Sequence, residues 1–168
     1  MTGRVVSLAE LAVAMEAERA AGKRIVLTNG CFDLLHVGHI RSLRAARTLG
    51  DVLVVGVNSD ASVRSFKAPD RPLVPDVERA EVLAAIESVD YVVVFEEPTA
   101  ERLADLVRPD VYAKGADYAM TGASVDESRL PEARVVSRNG GRTVLIPFVP
   151  GRSTTSLVKR IRSGLTPG

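Results

Sequence analysis

Apolar positions along the chain switch repeatedly between a helical and an extended period. Ser7-Leu8-Ala9-Glu10 is a capping-box pattern that predicts a helix from about residue 7 to 21, with Gly22 as its stop. Arg24 to Thr28 reads as a strand, and Ile40, Leu43 and Ala46 then recur at helical spacing up to Thr48. Asp51-Val52-Leu53-Val54-Val55-Gly56-Val57 is an unbroken apolar run of the kind found in strands buried on both faces. A helix from Asp76 through Ile86 and a strand from Tyr91 to Phe95 follow. The later half repeats the alternation: helix Thr99 to Val107, strand Asp110 to Lys114, helix Leu130 to Arg138, strand Arg142 to Phe148 and helix Ser153 to Ile161. This predicts an α/β fold, a Rossmann-like doubly wound sheet of about five parallel strands with helices on both faces. No linker or repeat divides it, so one domain over residues 1–168 is expected, its N-terminal helix preceding the core.

Composition narrows the class. With 168 residues, 46% of them hydrophobic, the chain can bury a substantial core, and a net charge of +1 offers no broad basic field for nucleic acid. No run of about 20 apolar residues predicts a membrane span, and Met1 to Arg4 leads into a charged amphipathic segment rather than a signal peptide. A single cysteine excludes an internal disulfide and suits a reducing, cytoplasmic setting.

Candidate chemistry centres on the strand-to-helix junction Thr28 to His39. Asn29-Gly30 breaks the strand, and His36 and His39 stand three residues apart on a first helical turn, pointing the same way. Unpaired N–H groups and the positive dipole end favour an anion there, and Gly38 lets a phosphate approach the backbone. Metal ligation or plain packing is the competing reading. A zinc site would need a third protein ligand, yet His36 and His39 are the only histidines, and Cys31 beside Phe32 reads as a small buried residue.

Three more segments fall at strand ends and are expected to converge on this junction: Asn58-Ser59-Asp60, Lys114-Gly115-Ala116-Asp117 and Gly151-Arg152-Ser153-Thr154-Thr155. The last pairs a guanidinium that can fork onto phosphate with three hydroxyls at a helix N-terminus, although an ordinary cap would use the same residues. Between Asp60 and Glu78, Arg64, Lys67 and Arg71 lie among Pro69, Pro72 and Pro75, as in a cationic lid or a solvated loop, and Arg79 follows on the next helix. Neither G-x-x-x-x-G-K-[ST] nor G-x-G-x-x-G follows the first strand, and no serine sits in a nucleophile elbow. This disfavours a P-loop kinase or a dinucleotide-dependent dehydrogenase and suits direct transfer.

Gly30 to His39, with Ser153-Thr154-Thr155 far downstream, resembles the cytidylyltransferase-like nucleotidyltransferases over about Lys23 to Ile161. Asn58 to Val63, Arg71 to Pro75, Val89 to Val93, Lys114 to Tyr118 and Gly151 to Thr155 are most similar to the adenylyltransferase domain of bifunctional heptose biosynthesis proteins. The resemblance implies that ATP is joined to D-glycero-beta-D-manno-heptose 1-phosphate, giving ADP-heptose and pyrophosphate. It implies His36, His39 and Lys67 as catalytic residues, with Lys67 bridging the substrate and α-phosphates. Gly30, Cys31, Phe32 and Gly38 would bind the nucleotide; Lys114, Gly115 and Asp117 would border the nucleoside. Arg152, Ser153, Thr154 and Thr155 would hold the outer phosphates, while Asp33, Arg71 and Arg79 would orient the acceptor. Mg2+ would ride on the triphosphate, since no compact carboxylate cluster is visible. A homodimer is expected, and a separate sugar kinase upstream, because no kinase domain precedes Met1.

The chain departs from that pattern at Ala116, where the heptose group has a second glycine, and more loosely over Met120 to Glu132. Phe148 stands where glycerol-3-phosphate cytidylyltransferases carry an arginine. A cytidylyltransferase for glycerol 3-phosphate or another polyol phosphate is the alternative enzyme. A nucleotide-binding module without catalysis is the alternative from another class.

Overall fold

The computed structural model describes residues 3–68, 70–115, 120–121, 124–125, 130–147 and 153–164. Within them lie β1 (Arg4–Val5), α1 (Leu8–Ala20), β2 (Ile25–Gly30), α2 (Val37–Arg47), β3 (Val52–Asn58), α3 (Asp60–Phe66), α4 (Asp76–Ala84) and β4 (Tyr91–Phe95). There follow α5 (Glu101–Val107), β5 (Val111–Gly115), β6 (Met120–Thr121), β7 (Ser124–Val125), α6 (Pro131–Arg138), β8 (Arg142–Ile146) and α7 (Thr154–Arg162).

Six strands form one parallel sheet in the order β1-β4-β3-β2-β5-β8, and β6 and β7 pair separately as an antiparallel ribbon. The Rossmann-like expectation holds. The sheet gains a sixth member because Arg4–Val5 pairs beside Tyr91 and Val92 of β4, a strand too short to show a period. Burial explains the unbroken apolar run of β3, in which every residue is buried. Val52 and Val54 pack with Leu11 and Met15 of α1 on one face, while Leu53, Val55 and Val57 pack with Leu43 of α2 and Leu83 of α4 on the other. Gly56 is required by the same density: a Cβ there would come 2.4 Å from Leu103 of α5.

Local sequence signals set the ends of elements. The predicted capping box forms at α1, where the Ser7 amide donates to Glu10 at 2.8 Å and the Glu10 amide to Ser7 Oγ at 3.2 Å. An aspartate stands just before each of β3, β4 and β5. The carboxylate of Asp51 accepts from the Arg24 amide at 2.8 Å, Asp90 from Leu53 at 2.7 Å and Asp110 from Ile25 at 2.7 Å. These bonds hold adjacent strands in stagger at the end away from the site.

One sequence expectation changes here. The first part of the proposed lid is helix α3, not loop, because Ser59 caps it through the Ser62 amide at 3.1 Å and Val63 is buried beneath it. Among the described residues no helix is long and apolar enough to cross a membrane.

Candidate active site

The chain runs from β2 to β3 on one side, while β5 lies on the other side of β2. The carboxyl ends of β2 and β5 therefore flank a topological switch point, where open α/β sheets bind ligands. A cleft of about 290 Å³ opens there. It is bounded by Asn29 and Gly30 of β2, by the loop to α2, by Lys114 and Gly115 of β5, and by the start of α7.

His36 is the N-cap of α2, in extended conformation. Its Nδ1 accepts from the Gly38 amide at 3.1 Å, and Nδ1 of His39 accepts from the His36 amide at 3.4 Å. Each ring thus spends Nδ1 on the helix terminus, which in the neutral imidazole leaves the proton on Nε2. The rings stack with centroids 3.9 Å apart, and both residues line the cleft. Burial, then the neighbouring His36 and the charge of Lys67, lower the His39 pKa from 6.5 to about 4. His39 is therefore a neutral donor at physiological pH, and Lys67 is near enough to act on it.

Between β2 and α2 the backbone makes a sharp detour. Phe32 has φ of 49°, a conformation uncommon for a non-glycine residue, and its ring lies 5.4 Å from that of His39. Burial pushes the Cys31 thiol up, so it stays protonated and is a poor metal ligand or nucleophile. Among the described residues no group of three or more His, Cys, Asp or Glu could hold a metal ion.

The second helix terminus faces the first. Ser153 caps α7 by accepting from the Ser156 amide at 3.1 Å, and Thr154 Oγ1 donates to the Leu34 carbonyl at 3.2 Å. That bond joins the α7 start to the loop that precedes His36. Ser153, Thr154 and Thr155 all line the cleft. Opposite them, Lys114 Nζ donates to Asn29 Oδ1 at 3.0 Å and to its carbonyl at 3.2 Å.

Gly30, Cys31, Phe32 and Gly38, predicted from the junction, also line the cleft, as do Lys67 and Arg71. Asp33 lies there too, but its buried carboxylate holds the chain rather than standing free. Oδ1 accepts from the Leu73 and Val74 amides at 2.8 and 3.0 Å, and Oδ2 pairs with Arg71 Nε at 3.0 Å. Arg71, Leu73 and Val74 are thus fastened to the histidine loop.

Arg79 is a correction. Its side chain is fully buried at 0% exposure and does not reach the cleft. Nε donates to the Val74 carbonyl at 2.9 Å, one terminal nitrogen donates to the Cys31 carbonyl, and the other binds the Asn58 carbonyl and Asp60, each at 2.8 Å. It ties the ends of β2 and β3 to the lid segment instead of meeting a substrate. Asn58, Ser59 and Asp60 likewise cap α3 and bind Arg79 rather than lining the cleft. Asp117, Arg152, Ala116 and Phe148 lie outside the described residues.

Ser42 and Ile146 line the cleft without having been singled out, and Thr28 and Asn29, read only as the end of the strand, line it too. Ser42 had a readable signal, standing one turn beyond His39 on the same helix face.

Parallel strands, a switch-point cleft and two facing helix termini define a nucleotide-binding α/β domain. A family model described as cytidylyltransferase-like matches residues 27–160, and the chain belongs to this family of nucleotidyltransferases. Bifunctional protein HldE of Geotalea uraniireducens (strain Rf4) is 49% identical over 161 residues, covering 96% of this chain and 31% of that protein. Its counterpart in Pelobacter propionicus is 52% identical over 151 residues, covering 90% and 30%. The chain thus spans less than a third of the length of these curated relatives. Among solved structures, the lipopolysaccharide core biosynthesis protein from Thermoplasma volcanium GSS1 aligns with a TM-score of 0.60 at 26% identity, covering 76% of this chain and 98% of that one. Pantoate-beta-alanine ligase from Francisella tularensis shares the fold, with a TM-score of 0.59 at 12% identity, over 91% of this chain and 69% of that one.

Proposed function

We propose that the protein is an adenylyltransferase that joins ATP to D-glycero-beta-D-manno-heptose 1-phosphate. A sugar-phosphate oxygen forms a bond to the α-phosphorus, the bond to the β-phosphate oxygen breaks, and its electron pair leaves with pyrophosphate. The observation that carries this reading is that the stacked rings of His36 and His39 at the start of α2 and Ser153, Thr154 and Thr155 at the start of α7 line one cleft. Such transfer needs no enzyme nucleophile. It needs alignment, and donors placed before charge develops on the phosphoryl oxygens.

His36 and His39 donate to the phosphates near the reacting centre, and Ser153 and Thr154 hold the outer phosphates at the α7 terminus. Lys67 bridges the substrate and α-phosphates, Arg71 and Asp33 set the acceptor side, and Lys114 and Gly115 border the nucleoside. Among the described lining residues, Lys67, Arg71 and Lys114 face only the engaged carboxylate of Asp33, a balance that favours a polyanion. Mg2+ would accompany the triphosphate, since no group of carboxylates, histidines or cysteines among the described residues would hold it, and would neutralise phosphate charge. The heptose acceptor is supported by the motif resemblance and by relatives about half identical to this chain. A cytoplasmic setting, a sugar kinase acting upstream and a homodimeric assembly belong to the same proposal and are supported by the single cysteine and by the motif resemblance.

A pyrophosphate-release screen of four nucleoside triphosphates against heptose, hexose and polyol phosphates tests the proposal. Release with ATP and the heptose 1-phosphate is expected. Preferential release with CTP and a polyol phosphate would overturn the nucleotide and acceptor, and ATP binding without release from any pairing would overturn the enzyme.

A further inference from the structure

Tyr112, Asn29 and Lys114 form a hydrogen-bonded chain that runs from the core to the cleft. Tyr112 of β5 is fully buried at 0% exposure and belongs to the core cluster that includes Leu27 and Val54. Lys114 stands two residues further along β5, on the same face, and lines the cleft together with Asn29 of β2. The Tyr112 hydroxyl donates to Asn29 Oδ1 at 2.6 Å, and Lys114 Nζ donates to the same oxygen at 3.0 Å and to the Asn29 carbonyl at 3.2 Å. An ammonium only donates, so the Asn29 atom it meets must be the amide oxygen, and the two donors together occupy both of its lone pairs.

The two oxygens that hold Lys114 are themselves held in different ways. The Asn29 carbonyl is fixed by β2, which pairs with β3 through Asn29 and Gly56. The amide turns about a torsion with broad preferences, and the Tyr112 hydroxyl anchors it from the core side. A phenylalanine ring would fill the same space in the core, and a buried hydroxyl is costly unless it is bonded. The hydroxyl therefore contributes through its bond to Asn29 and not through packing. Lys114 has a flexible four-carbon stem, whose freedom is lost when its ammonium meets a ligand. Holding the ammonium beforehand reduces that loss.

The structure assigns Tyr112 as a positioning residue: acting through Asn29, its hydroxyl holds the Lys114 ammonium at the nucleoside side of the cleft before ATP arrives. This role rests on the adenylyl-transfer reading, in which Lys114 borders the nucleoside.

Tyr112→Phe removes the hydroxyl and keeps the ring. Titration calorimetry with ATP, without acceptor, is expected to show binding weakened about threefold to tenfold, the range of one net hydrogen bond. In turnover, KM for ATP should rise by the same factor while kcat and the acceptor KM stay within about twofold. In an Asn29→Ala background the same substitution should have no further effect, since the link to Lys114 is already cut. Trace acetylation of the ligand-free chain by acetic anhydride, resolved by mass spectrometry, reads the lysine itself. Lys114 should react about threefold faster in Tyr112→Phe, measured against the exposed Lys159 of the same chain. Native ATP affinity together with native Lys114 reactivity would overturn the role. An undiminished loss in the Asn29→Ala background would assign the hydroxyl to packing and overturn it as well. A chain in which Lys114 reacts faster after Tyr112→Phe, yet which binds no ATP, would uphold the hold on Lys114 and fail the adenylyl-transfer reading alone.

Discussion

His39 offers a prediction that depends on the site's electrostatics and not on any substrate. Its pKa falls from 6.5 to about 4 in the folded chain, chiefly through burial. The unfolded chain therefore takes up this proton first as pH drops. Stability from His39 is complete above about pH 6.5 and is lost progressively through the window down to about pH 4. At pH 5 the linkage gives a loss of about 2 kcal/mol relative to pH 8, and because part of the ring still faces water this is discounted to about 1 kcal/mol. His39→Gln keeps a side-chain acceptor at the same helical position and cannot titrate. Urea unfolding of both proteins at pH 8 and pH 5 isolates the effect, since every other titrating group is common to the two. The native chain should lose about 1 kcal/mol more than the variant across that interval. Equal losses would refute the burial of a neutral imidazole at this position, and with it the assignment of His39 as a neutral donor.

Three further outcomes are expected. His39→Ala should lower turnover about 10²- to 10³-fold, the usual loss of one preorganised donor, with the far-ultraviolet circular dichroism retained; near-normal turnover would remove it from the reaction. Arg79→Met should cost about 3–5 kcal/mol in urea unfolding, because it strands the Asp60 carboxylate and the Cys31, Asn58 and Val74 carbonyls, and a loss below about 1 kcal/mol would contradict its role as a buried tie. Asp33→Ala should free the Leu73 and Val74 amides and raise proteolysis between Lys67 and Val74, with a stability loss of about 1–3 kcal/mol; an unchanged digestion pattern would show that the segment is held elsewhere.

The central strands β3 and β4 were the most legible part of the chain because each is a β-branched run buried over nearly its whole length, a signal that needs no knowledge of the partner. Tyr91–Phe95 is observed with the boundaries read from its pattern. Arg4–Val5 had no such signal, since two residues define no period and the pairing with β4 comes from a segment almost ninety positions away. Helix α3 was misread for a related reason. Its Arg64, and Lys67 just past its end, lie among charges and prolines, whereas its stability comes from one serine cap and from the buried Ser62 and Val63. Local composition described the solvent side of that segment and missed the side that packs.

Within the site, legibility followed how locally each role is determined. The positions of His36 and His39 follow from three-residue spacing at a helix start, so sequence alone reached them. Asp33 and Arg79 carry charges that read naturally as substrate ligands, but a charge has no visible direction in a sequence. Arg79 meets the Cys31 carbonyl 48 positions away, and Asp33 meets the Leu73 amide 40 positions away. Burying Arg79 without partners would be prohibitive, and the chain satisfies it with carbonyls at the ends of β2 and β3, with the Val74 carbonyl and with the carboxylate of Asp60. The same strand-end loops that must be open toward a ligand are thereby closed against each other underneath. A cation near a phosphate site can therefore serve in either of two ways, and only the count of carbonyls already pointing at it separates the ligand from the fastening.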